Sequence, residues 1–362
     1  MSIFATRFDD ELCLKNIYRG KSAEGLYCQV ESVKVGKDQR PDESCFIVRD
    51  GRKVLRSGAY AHQMSRQKDR PKPWYDTEYV DMEHVLSEEG DADVFTWRTP
   101  VGEVVGRRRH NHFFEYPVKT AKDLEVWTYV HTHQGFKPNP VLTDEDRRNR
   151  STISINWSPV QQLLQFDIGL ENFYYLLADE PVKMAALLDA MQERCLEKLR
   201  LGTELFPNAE FIYWGENTSS SAISPTHYRQ LTLPHIRSYA ALAHKSGKRL
   251  VVHMCGLLSG LLDCFIETGM DGIHSVTPPP LGDCPYTLIR EKFPSNFTIL
   301  GRFNAHFWVG RSKAEIQEAL KRTIYPELLD SPFALLVTTD ANPDIPAADV
   351  ETLIEALNDF VK

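Results

Sequence analysis

His253 and Cys255 stand two residues apart behind the apolar run Leu250-Val-Val. On an extended strand that spacing sends both side chains to one face. Imidazole and thiolate are good zinc ligands, whereas Mg²⁺ and Ca²⁺ prefer oxygen. A catalytic zinc takes three protein ligands and keeps one position open. Glu216, at the end of the preceding strand-like run Phe211-Ile-Tyr-Trp214, is the most economical third ligand. The plain alternative is an ordinary buried histidine beside a small core thiol.

Other reactive side chains occupy equivalent positions. Glu216 and Asn217 follow Trp214, and His274 and Ser275 follow Gly272-Ile273. Arg302 and Asn304 follow Thr298-Ile-Leu300, and Thr339 and Asp340 follow Leu335-Leu-Val337. Such a succession of polar strand ends exceeds what packing requires. Glu216, His274, Arg302 and Asp340 are the candidate catalytic residues. Trp214, Asn217, Asn304 and Thr339 are candidate substrate contacts. The aromatics Trp157, Tyr213, Trp214 and Trp308 suit an aromatic methyl ether or a plain core equally. Cys264 falls on the apolar stripe Leu257, Leu261, Cys264, Phe265 and reads as core; Cys284 reads as a passive loop thiol. His131 and His133 read as surface. Arg107, Arg108 and Arg109 could clamp an anion, but a charge run is usually a solvated face.

The elements that must position these residues are legible from residue 151 onward. Strand-like runs at 151–157, 209–214, 249–253, 272–276, 297–300 and 333–337 alternate with helical patterns at 180–199, 224–245, 257–268, 285–293, 312–322 and 346–361. Ser224-Pro225 and the Ser312/Glu315 capping box mark helix starts. Alternating β and α units imply a parallel sheet, and at least six of them favour a (β/α)8 barrel, whose active site lies at the C-terminal strand ends. Residues 1–150 read as a polar, irregular extension with a short hairpin near 99–114, capping the mouth or forming an interface. The barrel is expected over 151–362.

Composition excludes several classes. The chain has 362 residues and a net charge of -8, which disfavours a general nucleic-acid binder. No run approaches the roughly 20 apolar residues of a membrane span. Asp9, Asp10 and Glu11 stand where a signal peptide needs its apolar core, so a cytoplasmic location is expected. Seven cysteines without a CxxC pair read as free thiols.

Residues from about 210 to 360 resemble the uroporphyrinogen decarboxylase superfamily. The resemblance rests on Glu216-Asn217, Ile223-Ser224-Pro225, Pro234, Ala243-His244-Lys245-Ser246-Gly247-Lys248, His253-Met254-Cys255-Gly256, Gly269-Met270-Asp271-Gly272, Gly301 and Asp344-Ile345-Pro346. Weaker similarity lies upstream at Thr99-Pro-Val-Gly102, Pro117-Val-Lys119 and Gly169-Leu-Glu171-Asn172. The resemblance implies a distorted (β/α)8 barrel and one of two chemistries. One is metal-free decarboxylation of uroporphyrinogen. The other is methyl transfer to or from a corrinoid protein, with zinc held by an HxC…C pattern. His253 and Cys255 match the first two ligands; Thr339-Asp340 stand where the third cysteine would fall. Asp340 or Glu216 would then replace it.

The Arg-Gln-Ala-Gly-Arg segment of the decarboxylase branch is absent, its nearest counterpart being Arg66-Gln-Lys-Asp-Arg70. The leading expectation is therefore a zinc-dependent methyltransferase acting on a small methylated molecule. Its corrinoid would arrive on a separate protein, since no Asp-x-His-x-x-Gly motif occurs here. Decarboxylation of uroporphyrinogen or another carboxylate is the runner-up, and a non-catalytic small-ligand barrel the third reading. A homodimer is admitted.

Overall fold

The computed structural model describes residues 28–30, 33–35, 46–49, 51–56, 74–109, 112–150, 152–325, 328, 332–337 and 344–360. The chain forms two compact units. One comprises Lys72–Leu250 with Glu267–Gly269; the other comprises Met1–Pro71, Val251–Ile266 and Met270–Lys362.

In the 72–250 unit, strands Glu83–Glu89, Ala92–Thr99, Gly102–Arg109 and His112–Glu115 form an antiparallel sheet. Ala92, Val94 and Thr96 are buried while their neighbours are not, the two-residue period of a half-buried strand. The hairpin expected near 99–114 is part of this sheet, and the irregular backbone expected around it is corrected. Its polar composition hides the regularity because charged residues pair across strands. Arg107 binds Glu89 and Glu115, Arg108 binds Asp93, and Arg109 binds Asp91. The arginine run is thus a set of cross-strand ion pairs. Arg108 also lies over the Phe95 ring.

The same unit holds parallel strands Thr152–Asn156 and Phe211–Gly215, paired residue for residue from Thr152↔Phe211 to Asn156↔Gly215. Phe211–Gly215 is buried throughout, as an unbroken apolar run in a parallel sheet should be. Helix Pro181–Leu205 extends beyond the expected 180–199, because Gly202 and Leu205 continue its buried face. The expected 224–245 helix, read with a kink at Pro234, is interrupted just ahead of that proline. Pro225–His227 leads into a π turn, Tyr228–Thr232, before the α-helix Leu233–Lys245. Proline brings no N–H, so the hydrogen-bond register changes just ahead of it.

In the 251–362 unit, Val251–His253, the last residues of strand Arg249–His253, pair in parallel with strand Gly272–Val276, which is followed in the same way by Thr298–Phe303 and Phe333–Val337. Cys28–Val30 adds a further parallel strand beside Phe333–Val337. Helices Tyr286–Lys292 and Lys313–Thr323 lie between strands, the second opened by the foreseen Ser312/Glu315 capping box. Asp344–Pro346 pairs with Arg52–Arg56, which pairs with Phe46–Arg49. Parallel strands separated by helices make this an α/β protein, consistent with a (β/α)8 barrel. Among the described residues no helix is long and apolar enough to cross a membrane.

Candidate active site

In the 251–362 unit, register makes His253 and His274 direct neighbours on adjacent parallel strands. Their Nδ1 atoms meet in a hydrogen bond of 2.7 Å, with the rings tilted by 37°. One Nδ1 donates and the other accepts, so the two rings must hold opposite tautomers. His253 is 7% exposed and His274 1%. Burial holds His253 well below its ordinary protonation range, helped by His274 and the charge of Arg302. Burial and Arg302 bring His274 down to about 3. Both imidazoles are therefore neutral near pH 7, beside a fixed cation.

The backbone here is shaped for this pairing. Ser275 adopts φ +70°, and the strand register shifts between His274 and Val276. A non-glycine residue in that region is strained, and such strain gathers at functional sites. The Met254 N–H donates to the His274 carbonyl at 2.9 Å. Arg302 is held from behind, because the buried Tyr286 hydroxyl donates to its carbonyl at 2.9 Å. Gly301 lies flush against that ring; a Cβ there would come within 2.4 Å of Tyr286 Cζ. Asn304 is 3% exposed and its carbonyl accepts from the Phe307 N–H. Cys255 is partly exposed.

Glu216 belongs to the 72–250 unit and is fully buried. Its Oε2 accepts from the Ser158 N–H at 3.2 Å; its Oε1 accepts from the Thr218 N–H at 3.1 Å and from the Thr218 hydroxyl. Burial raises its pKa in spite of these bonds. Trp157, the residue before Ser158, sits at φ +63° and its N–H donates to the Gly215 carbonyl. Trp214 is fully buried and stacked on Tyr239 at 3.7 Å, in a core position. Asn217 is half-buried. Thr339 and Asp340 lie outside the described residues.

Among the described residues, no group of three or more His, Cys, Asp or Glu side chains is placed to hold a metal ion. The HxC segment supplies two N/S donors, one short of a zinc centre. Cys264 is buried, as expected of core. Cys284 is also buried, and its thiol is pushed up to about 12, which leaves it unreactive. The HxH pair is not simple surface. The His131 ring packs edge-on against Trp127, and burial brings it down to about 3. His133 stacks on Tyr129 at 3.7 Å.

Sequence reasoning missed Asp167. This buried carboxylate accepts from Trp127 Nε1 and from Gln162 Nε2, each at 2.8 Å, and burial raises it to about 7. Its partner Trp127 lies forty positions away, and no local pattern marks the pair.

Residues 162–360, more than half of the chain, match the family described as uroporphyrinogen decarboxylase (URO-D). No curated protein matches the sequence. Among solved structures, a D-psicose 3-epimerase with D-fructose is 14% identical over 57% of this chain and 76% of its own, with a TM-score of 0.33. The GH20 catalytic modules of the pneumococcal exo-β-D-N-acetylglucosaminidase StrH are 12% identical over 58% and 59%, also at 0.33. A dipeptide epimerase from Methylococcus capsulatus, complexed with Mg ion, is 12% identical over 75% and 92%, at 0.22. Likenesses this distant carry no functional argument. The family match spans the strand ends that bear Glu216, His253, His274 and Arg302, and by that match the chain belongs to the uroporphyrinogen decarboxylase family.

Proposed function

We propose that this protein is an enzyme acting on a small carboxylate-bearing molecule, with decarboxylation as its reaction. The observation that carries the reading is the buried, neutral His253–His274 pair beside Arg302. Arg302 would bind a substrate carboxylate and offset negative charge that develops as the C–C bond breaks. Carbon dioxide leaves, the electron pair stays on the substrate carbon, and that carbon then needs a proton. The N–H at Nε2 of His253, whose Nδ1 is held by His274 Nδ1, would hand its proton to that carbon, and solvent would return one to His253 once the product leaves.

Methyl transfer is the second reading, and one observation favours it. His253 Nδ1 is engaged by His274, which leaves Nε2 as its ligating nitrogen, and Cys255 follows two residues on. An outer hydrogen bond of this kind is what orients metal-binding histidines. Zinc on His253 and Cys255 would supply Lewis acidity, and the methyl group would pass to or from a separate corrinoid-carrying protein.

The test uses the purified chain with a panel of aromatic and heteroaromatic carboxylates, following CO₂ release. Turnover that falls about 100-fold in both Arg302→Gln and His274→Gln supports decarboxylation. A chain that carries stoichiometric zinc, loses it in His253→Ala, and consumes methyl donors only with added cob(I)alamin overturns it in favour of methyl transfer.

A further inference from the structure

The 251–362 unit contains a cavity of about 740 Å³ that none of the residues discussed above as catalytic lines. Its size is that of a small-molecule site. One wall is apolar, built from Pro278, Tyr286, Phe307 and Tyr325. The rest of the lining comes largely from helix Lys313–Thr323 and the turn before it. Ala314, Glu315, Glu318, Ala319 and Arg322 recur at three- and four-residue spacing, which places them in one row, and Arg311 adds to the lining from just before the helix cap. The two alanines lower the middle of the row. Arg322 stands in the last turn of that helix, and Arg311 stands just before the Ser312 cap that opens it.

Neither arginine is tightly engaged. Arg311 lies 3.7 Å from Glu315 and Arg322 lies 3.4 Å from Glu318, both longer than the 2.7–2.9 Å of a good charge-assisted bond. Glu315 is committed elsewhere. Its Oε2 accepts from the Ser312 N–H at 2.8 Å and from the Ser312 hydroxyl at 2.7 Å, closing the helix cap. Each guanidinium keeps donors that its glutamate does not use. His306 adds a third basic side chain to the lining.

We propose that this cavity is a second binding site, distinct from the His253–His274 centre, for an elongated organic dianion with a flat apolar body and an acidic group at each end. The body lies between the aromatic and proline wall and the alanine floor; each acidic group meets one arginine. Tyr286 is common to both places, since its ring walls the cavity while its hydroxyl holds the Arg302 carbonyl. The inference is independent of the reaction at His253 and His274.

The experiment is calorimetric titration of the full chain with biphenyl-4,4′-dicarboxylate, with biphenyl-4-carboxylate as the one-ended control. Arg311→Gln and Arg322→Gln should each raise the dicarboxylate Kd about fivefold, as expected for partly exposed ion pairs. The one-ended acid should respond to only one of them. Glu318→Gln, which frees Arg322 from its competitor, should tighten the dicarboxylate. His274→Gln and Arg302→Gln should leave binding unchanged. Absence of binding at millimolar probe, equal binding by the double Arg311→Gln/Arg322→Gln variant, or loss of binding in Arg302→Gln overturns the proposal. The last result would put the probe at the catalytic strand ends instead.

Discussion

Gly301→Ala tests how the arginine at the strand end is held. The added Cβ would lie 2.4 Å from Tyr286 Cζ, 2.6 Å from its hydroxyl oxygen and 2.8 Å from Cε1. Carbon atoms rest at about 3.5–4.0 Å, so the ring must retreat by about 1 Å or more. It has little room. Tyr286 is 2% exposed and packs edge-on against Phe333 with centroids 5.4 Å apart. Retreat also breaks the 2.9 Å bond from its hydroxyl to the Arg302 carbonyl. Overpacking costs about 1–3 kcal/mol, and stranding a buried hydroxyl costs about 1–3 kcal/mol more. The variant should therefore lose about 2–6 kcal/mol. Urea unfolding followed by fluorescence measures this through the midpoint at constant slope. In a Tyr286→Leu background the ring is gone, and the same substitution should cost less than about 1 kcal/mol. A Gly301→Ala protein within 0.5 kcal/mol of the parent, or an equal cost in both backgrounds, would refute the reasoning.

Three further outcomes follow from the buried ionisable groups. His274 stays neutral, without a second ring proton, until about pH 3, whereas in the unfolded chain it gains that proton near its ordinary 6.5. Stability should then fall by about 1.4 kcal/mol per pH unit as pH drops through that window. His274→Gln should remove this slope from pH-dependent urea midpoints, and an unchanged slope would count against burial of a neutral ring. Asp167 has the opposite sign. Its carboxyl stays protonated up to about 7 in the folded chain but ionises near 3.8 when unfolded, so it lowers stability as pH rises between those values. Asp167→Asn should be more stable than the parent at pH 8 and lose that advantage near pH 4, measured by the same titration. Glu216→Ala strands the Ser158 and Thr218 N–H groups and should cost about 2–4 kcal/mol in thermal or urea unfolding, with Glu216→Gln costing less. Zinc content that falls in Glu216→Gln would instead assign that carboxylate to a metal.

The alternation of strands and helices after residue 151 was readable because each element carries its own signal. A strand such as Phe211–Gly215 is buried along its whole length, so it reads as an apolar run. Ser312 and Glu315 announce a helix start within four residues, and both cap bonds form. His253 and Arg302 were readable as candidate site residues because a parallel α/β fold puts its chemistry where strands end. What required tertiary structure was every feature made by residues distant in sequence. His253 and His274 bond because two strands twenty-one residues apart pair in one particular register; a shift by one residue would turn one ring to the other face. The arginines at 107–109 looked like a solvated run because their partners, Glu89, Asp91, Asp93 and Glu115, become neighbours only across strands. Gly301 looked like a family residue without a cause until the Tyr286 ring was seen against it. Local propensity and hydrophobic period are properties of a few consecutive residues and survive in one dimension. Which side chain meets which is decided by strand register and helix packing, set by burying the whole core at once.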